Sequence, residues 1–330
     1  MHGGRLSVAQ GLYPNAPQPW LDLSTGINPW GYPLNKISSE TWARLPEPTD
    51  IHDLERRARE AYAAPSVAKI VAVSGSDIAI AMLPRLVDKN RRVVIFGPTY
   101  VSHANAWARA GHQVTITDDL DALGAADVAI VVNPNNPDGR VVPVEKCLTI
   151  ASEINQRNGL MIVDEAFGDA YPETSVVPEL GRCPSLVVLR SFGKFYGLAG
   201  LRLGFAISAH PIVELLRHSI GDWPVSGPAI AIGTKALGDS PWVLETRARL
   251  ATASRDVDVV LKKSGGEVIG GTSLFRLLNH SQAGAIFVAL AEAGILVRPF
   301  DYAPRWLRIG LVPTQDGLQR LSRVLSEFHI

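Results

Sequence analysis

The chain has 330 residues, 46% of them hydrophobic, and its 32 basic residues are balanced by 32 acidic ones. That is ample for a large core in two domains, and a neutral total argues against nucleic acid or a membrane surface as the main partner. No uncharged apolar run approaches the roughly 20 residues that span a bilayer, the N-terminus lacks a signal-peptide pattern, and Cys147 and Cys183 make neither a disulfide framework nor a metal cluster, so a soluble cytoplasmic protein is expected.

Residues 1–48 are rich in Pro, Gly and Trp and read as an irregular arm. A helix capped by Thr49 or Asp50 is expected to run to about Ala64, followed by a buried strand at 69–73 and, after Ser74-Gly75-Ser76-Asp77, an apolar helix. Further strands are expected at 92–96, 112–117, 127–132, 160–164, 185–190 and 204–208, with helices near 102–110, 144–157 and 210–219. This alternation is the signature of an α/β fold with a mostly parallel central sheet. Beyond about residue 235 the texture changes. An amphipathic stretch at 241–263 precedes FRLLN, a helix near 282–293, ILVRP, WLRIGL and a last helix at 315–328. The chain thus divides into an arm (1–48), a large domain (49–234) and a smaller C-terminal α+β domain (235–330).

Four segments carry chemistry. In Arg190-Ser-Phe-Gly-Lys194-Phe-Tyr-Gly-Leu-Ala-Gly-Leu-Arg202, one lysine lies among small and aromatic residues. Lost solvation favours its neutral amine, the form that attacks an aldehyde to give an imine. By itself a lysine in a glycine-rich loop is usually solvated and idle, so the context matters. Ser191 and Arg202 flank it and suit an anionic group.

The second segment, Val163-Asp164-Glu165-Ala166-Phe167, ends a strand, where open α/β sheets gather ligands. An aspartate there can pair with a protonated ring nitrogen and keep the ring an electron sink; the competing reading is a cap or surface acid. Glu165 is the poorer partner because side chains alternate faces along a strand. The third is the turn Asn133-Pro-Asn-Asn136-Pro-Asp-Gly139, whose asparagine amide suits a phenolate oxygen. The fourth is Ser74-Gly75-Ser76-Asp77, a phosphate site at a helix start, with Asp77 alternatively a helix cap.

Together, in this order, the segments resemble the fold-type-I pyridoxal-phosphate enzymes of the aminotransferase class I/II family. The resemblance covers nearly the whole chain and implies pyridoxal 5′-phosphate carried on Lys194 as a Schiff base. It implies that Asp164 pairs with the pyridinium nitrogen and Asn136 with the ring hydroxyl. Gly75, Ser76, Ser191 and Arg202 would hold the phosphate, with Asp77 also among the cofactor-binding residues; Tyr100 would stack on the ring, and Ala166 would lie on the other face. Trp306-Leu-Arg308-Ile-Gly310 resembles the strand whose arginine grips a substrate carboxylate. Two departures stand out: Phe167 and Leu45 occupy positions where many relatives carry tyrosine.

Within the family, His2-Gly3-Gly4, Leu23-Ser-Thr-Gly26-Ile27-Asn28-Pro29, Arg44-Leu-Pro-Glu and the Asn-Pro-Asn-Asn-Pro-Asp-Gly-Arg turn are similar to those of the threonine-phosphate decarboxylases of cobalamin biosynthesis. That likeness implies loss of CO2 from L-threonine O-3-phosphate, with His2, Gly26, Ile27, Asn28, Asn136, Arg298 and Arg308 at the substrate. Of these, Arg298 and His2 are the candidates for its phosphate. A histidinol-phosphate aminotransferase is the alternative. The likeness also implies a homodimer, a small phosphorylated amino acid as partner, and no metal, nucleic acid or membrane.

Overall fold

The computed structural model describes residues 3–34 and 36–328, so His2 lies outside the described residues. Contacts divide the chain into two compact units. The larger comprises Tyr32–Asn136 and Arg140–Ser240, the smaller Met1–Gly31, Pro137–Gly139 and Pro241–Ile330. The smaller unit opens with a helix at Leu6–Leu12 and a short strand, β1 (Leu21–Asp22). The expected irregular arm is therefore partly regular, and a third element, the helix Ser39–Ala43, belongs to the larger unit. Ser38 caps that helix, its hydroxyl accepting from the Thr41 amide.

In the larger unit, strands β2 (Lys69–Val73), β3 (Arg92–Phe96), β4 (Gln113–Thr117), β5 (Val128–Val132), β6 (Leu160–Asp164), β7 (Leu186–Ser191) and β8 (Gly204–Ser208) form one sheet in the order β2-β8-β7-β6-β5-β3-β4. Only β8 runs antiparallel to its neighbours. The central strands are apolar at nearly every position because both faces are covered; β5 and β6 are buried throughout. Edge strand β4 has no buried residue. Val71, Ile95, Trp107, Ile130, Ile162 and Leu189 lie in the core cluster.

The helix Pro48–Ala61 begins earlier than expected, and its N-cap is Glu47 rather than Thr49 or Asp50. Pro48 needs no N–H partner at the first helical position. Asp50 reaches back to accept from the Glu47 amide at 3.1 Å, so its role is the return half of a capping box.

In the smaller unit, β9 (Glu267–Thr272), β10 (Phe275–Asn279), β11 (Ile295–Leu296), β12 (Arg298–Pro299) and β13 (Trp306–Gly310) complete the strands. β12-β13-β10-β9 make an antiparallel sheet, and β1 pairs with β11 in parallel. Helices Ser240–Leu261, Ala283–Glu292 and Gln315–Ser326 complete this part of the chain. β9 escaped the sequence pattern because Gly270 and Gly271 dilute it. Those glycines permit a close approach: the Gly271 amide donates to the Asp138 carbonyl at 2.7 Å, and a Cβ at position 270 would lie 2.1 Å from that same oxygen. Among the described residues no helix is long and apolar enough to cross a membrane, and no cluster of three or more His, Cys, Asp or Glu could hold a metal.

Candidate active site

The C-terminal ends of β5, β6 and β7 lie side by side in the larger unit, as their parallel pairing requires. Three of the four chemistry-bearing segments follow from these ends, and the fourth follows β2. After β2, Gly75 takes a left-handed backbone (φ 84°) and starts the helix Ser76–Met82. The first amides of a helix have no intrahelical acceptor and point outward. A Cβ at Gly75 would meet the Arg202 guanidinium at 2.6 Å, and one at Gly204 would meet the Ser76 amide nitrogen at 2.5 Å. Glycine at both positions therefore lets the loop, the helix start and Arg202 close on one another.

Asp77 does not cap this helix. Its carboxylate accepts from the Tyr100 hydroxyl at 3.1 Å and lies 3.6 Å from Arg202, with both charged side chains about half exposed. Burial, with Asp77 beside it, pushes the Tyr100 phenol above its ordinary value. Gly75, Ser76, Asp77, Tyr100 and Arg202 are thus brought together. Ser74 is turned to another task, its hydroxyl donating to the Pro224 carbonyl.

Asp164 is 2% exposed at the end of β6. One carboxylate oxygen accepts from the Ala166 amide at 3.0 Å, and the other lies 2.8 Å from Nε2 of His103. His103 is itself buried, and its Nδ1 has no hydrogen-bond partner. Sequence reasoning missed His103. No helix-face spacing marked it, because Tyr100 precedes the helix Ser102–Arg109 that carries His103, although the two rings lie edge-on at 6.3 Å.

Glu165 points the other way, as strand alternation requires. It binds the Arg190 guanidinium at 2.7 Å, the Ser175 hydroxyl at 2.7 Å and the Val176 amide at 2.7 Å. Arg190 also binds Asp169 at 2.9 Å and lies over the Tyr62 ring at 4.3 Å. Burial pushes the Glu165 carboxyl up, opposed by the guanidinium. This cluster ties β6 to β7 on the face opposite Asp164. Its weight was not legible beforehand, because nothing in the sequence pairs residue 190 with 165 and 169.

Lys194 sits half-buried on the single helical turn Phe192–Phe195, directly after β7. Phe192 stacks on Tyr196 at 4.2 Å, and Phe195 meets Tyr196 edge-on at 5.3 Å. A Cβ at Gly193 would lie 2.6 Å from the Ala199 Cα, so the Ala199–Leu201 turn folds against this helix. Ser191 ends β7. In the turn after β5, Asn133 bonds the Val142 backbone twice and Asn135 bonds Pro98 and Thr99. Those two asparagines hold the loop, while Asn136 is half-exposed beyond them. Ala166 is half-exposed and Phe167 buried.

In the smaller unit, Arg308 of β13 is 3% exposed and donates to the Ser24 carbonyl at 2.8 Å. Its guanidinium lies 5.0 Å from the Phe275 ring centroid. Arg298 of β12 is its direct cross-strand partner, and its guanidinium lies 5.2 Å from the Phe300 centroid. Cross-strand partners share a face, so the two arginines stand on one face of the sheet. Gly26 is buried and Ile27 half-buried. Asn28 is buried, its side-chain oxygen accepting from the Trp30 amide at 2.9 Å.

These residues fit pyridoxal 5′-phosphate. A glycine-lined helix start beside an arginine suits its phosphate, a buried carboxylate suits its ring nitrogen, and a half-buried lysine follows the neighbouring strand.

Residues 34–325 match the family described as aminotransferase class I and II. The chain is 43% identical to a threonine-phosphate decarboxylase from Sinorhizobium sp, with 100% of this chain and 98% of the relative covered. It is 40% identical to a threonine-phosphate decarboxylase from Pseudomonas aeruginosa, with 99% and 97% covered. A histidinol-phosphate aminotransferase from Bradyrhizobium diazoefficiens is 34% identical, with 82% and 81% covered.

Proposed function

The chain belongs to the class I and II aminotransferase family, and from that premise we propose that it decarboxylates L-threonine O-3-phosphate to (R)-1-amino-2-propanol O-2-phosphate. It is an enzyme of fold type I whose cofactor is pyridoxal 5′-phosphate. When bound, the cofactor supplies an electron sink for the pair left at Cα as CO2 departs. The observation that carries the substrate reading is the convergence of the two N-terminal motifs. A Cβ at Gly3 would lie 2.3 Å from the Ser24 carbonyl oxygen, the atom that also accepts from Arg308. The likeness to two decarboxylases over their full length supports the same reading.

In this reading Lys194 holds the cofactor at rest and, once released, delivers a proton from Nζ to the substrate Cα that has lost CO2. Asp164, held by His103 and the Ala166 amide, would pair with the ring nitrogen. Asn136 would donate to the ring oxygen. Tyr100 and Ala166 would hold the ring, and Gly75, Ser76, Ser191 and Arg202 would hold the phosphate, with Asp77 beside Arg202. Arg308 grips the substrate carboxylate through its planar fork, Arg298 and His2 take the substrate phosphate, and Gly26, Ile27 and Asn28 line its approach. The net change is one C–C bond broken, one C–H bond formed and one proton consumed.

The test is CO2 release from L-threonine O-3-phosphate without an oxo acid, run beside 2-oxoglutarate-dependent turnover of histidinol phosphate. CO2 alone supports the decarboxylase; oxo-acid-dependent turnover alone moves the chain to the aminotransferase branch. We further assign it to a cytoplasmic homodimer in cobalamin biosynthesis. Leu34, Ile37, Trp42, Leu198, Leu201 and Ile232 line an apolar groove with Trp42 69% exposed, a surface that a second copy would cover. A monomer by light scattering at working concentration overturns that assignment.

A further inference from the structure

The N-terminal glycines, β1 and Arg308 meet at one buried residue that no motif singled out. Ser24 is 2% exposed. Its hydroxyl accepts from the Gly4 amide at 2.8 Å and donates to a carboxylate oxygen of Asp22 at 2.6 Å. The same Asp22 oxygen accepts from the Ser24 amide at 2.9 Å. The Ser24 carbonyl accepts from Arg308 at 2.8 Å. Gly3 lies so close to that carbonyl that no side chain fits there.

Each contact has a cause. Asp22 is fixed because β1 pairs with β11, the Leu23 amide donating to the Leu296 carbonyl at 2.7 Å. The Leu23 carbonyl in turn accepts from the Gly310 amide at 2.7 Å, which ties the same segment to the end of β13. The Asp22 carboxylate takes both Ser24 donors, so the hydroxyl's lone pairs face the chain start. Gly4, at φ 78°, turns its amide onto that hydroxyl. One serine therefore uses its side chain to hold the chain start and its backbone to hold the arginine.

We propose that Ser24 is a positioning residue for substrate selection: through Gly4 it fixes the N-terminal segment beside Arg308, and so confers preference for a phosphorylated over an unphosphorylated amino acid. This rests on the reading of Arg298 and the N-terminus as binding the substrate phosphate. Ser24 touches no reacting atom. Its loss weakens binding of the phosphorylated substrate and leaves the chemical step and the cofactor alone.

The experiment compares wild type, Ser24→Ala, a variant lacking residues 2–4, and the two changes combined, all as cofactor-loaded full-length enzyme. Losing one net hydrogen bond of about 1–1.5 kcal/mol raises KM for L-threonine O-3-phosphate roughly tenfold. Turnover stays within about twofold, since uniform binding alone is lost. The deletion raises KM at least as much, and Ser24→Ala in the deletion background adds less than about twofold, because both changes remove one contact. Binding of unphosphorylated L-threonine, read from cofactor absorbance, does not change.

Hydrogen exchange gives a readout independent of turnover: the Gly4 amide is protected in wild type and exchanges freely in Ser24→Ala. Additive KM effects, equal weakening toward L-threonine, a fall in turnover at constant KM, or an unprotected Gly4 amide in wild type overturns the proposal. Should Ser24→Ala fail to fold, the deletion variant and the wild-type exchange measurement carry the test. If wild type releases no CO2, the decarboxylase reading falls separately. Ser24 is then tested by the same absorbance titration with histidinol phosphate against histidinol, where only the former should weaken.

Discussion

The cofactor cradle of the larger unit and the arginine cluster of the smaller one are assembled by opposite means. In the cradle, the assigned groups come from the ends of strands of one sheet and the loops that follow them: Gly75 after β2, Asn136 after β5, Asp164 and Ala166 at β6, Ser191 and Lys194 at β7. Each is placed by a short local motif, and the parallel sheet aligns the motifs. The cluster instead joins the two ends of the chain, with Arg308 bonded to Ser24 across 284 positions. Strand-end loops vary in sequence while the sheet stays rigid, so the cradle can be kept while chemistry shifts. The difference places the cofactor on loops at strand ends and the substrate's charged groups on a buried strand tied to the start of the chain.

The largest effect that tests this division is at Lys194. Lys194→Ala is expected to lower turnover by at least about 10³-fold, since it removes both the cofactor attachment and the proton donor. The protein's visible cofactor absorbance should vanish with it. Arg308→Lys should act on the other side of the division. Exchanging a planar fork for a point charge loses about 1.5–3 kcal/mol of charged hydrogen bonding, or about 10- to 150-fold in KM, with the absorbance intact. An Arg308→Lys enzyme that bleaches, or a Lys194→Ala enzyme that stays yellow, breaks the division.

The same contrast explains what was legible in the sequence. The central strands of the larger unit showed as apolar runs because burial on both faces removes any polar interruption, and Gly193 beside Lys194 marks a close approach that no other residue permits. Asp164 was legible from its place at a strand end. His103 was not, because its pairing with Asp164 spans 61 positions and its helix carries an ordinary amphipathic pattern. The Glu165–Arg190–Asp169 cluster hid for the same reason. In the smaller unit, β1 is two residues long and is defined only by its pairing with β11, so no periodicity could reveal it. Ser24 stood inside a motif recognised for its neighbours, yet its role depends on Gly4, Asp22 and Arg308 meeting in space.

Glycines offer the finest test of the comparison, because one lies at the heart of each region and what it faces differs. A Cβ at Gly310 would lie 2.6 Å from the Thr25 carbonyl oxygen and 3.1 Å from that of Leu23, which itself accepts from the Gly310 amide at 2.7 Å. Gly310→Ala should therefore push the Ser24 segment off β13 and weaken substrate binding through Arg308. At Gly75 the added Cβ meets the guanidinium of Arg202, the flexible end of a half-exposed side chain, which can move. What remains is a backbone of positive φ and extended ψ (φ 84°, ψ 147°), which costs a residue with a Cβ about 1–3 kcal/mol. Gly75→Ala should thus weaken cofactor affinity by about 5- to 150-fold, measured by absorbance titration of the apoenzyme, with KM at saturating cofactor little changed. A rise in KM without loss of cofactor affinity would mean that Gly75 serves the substrate, and the line drawn between the two regions would have to move.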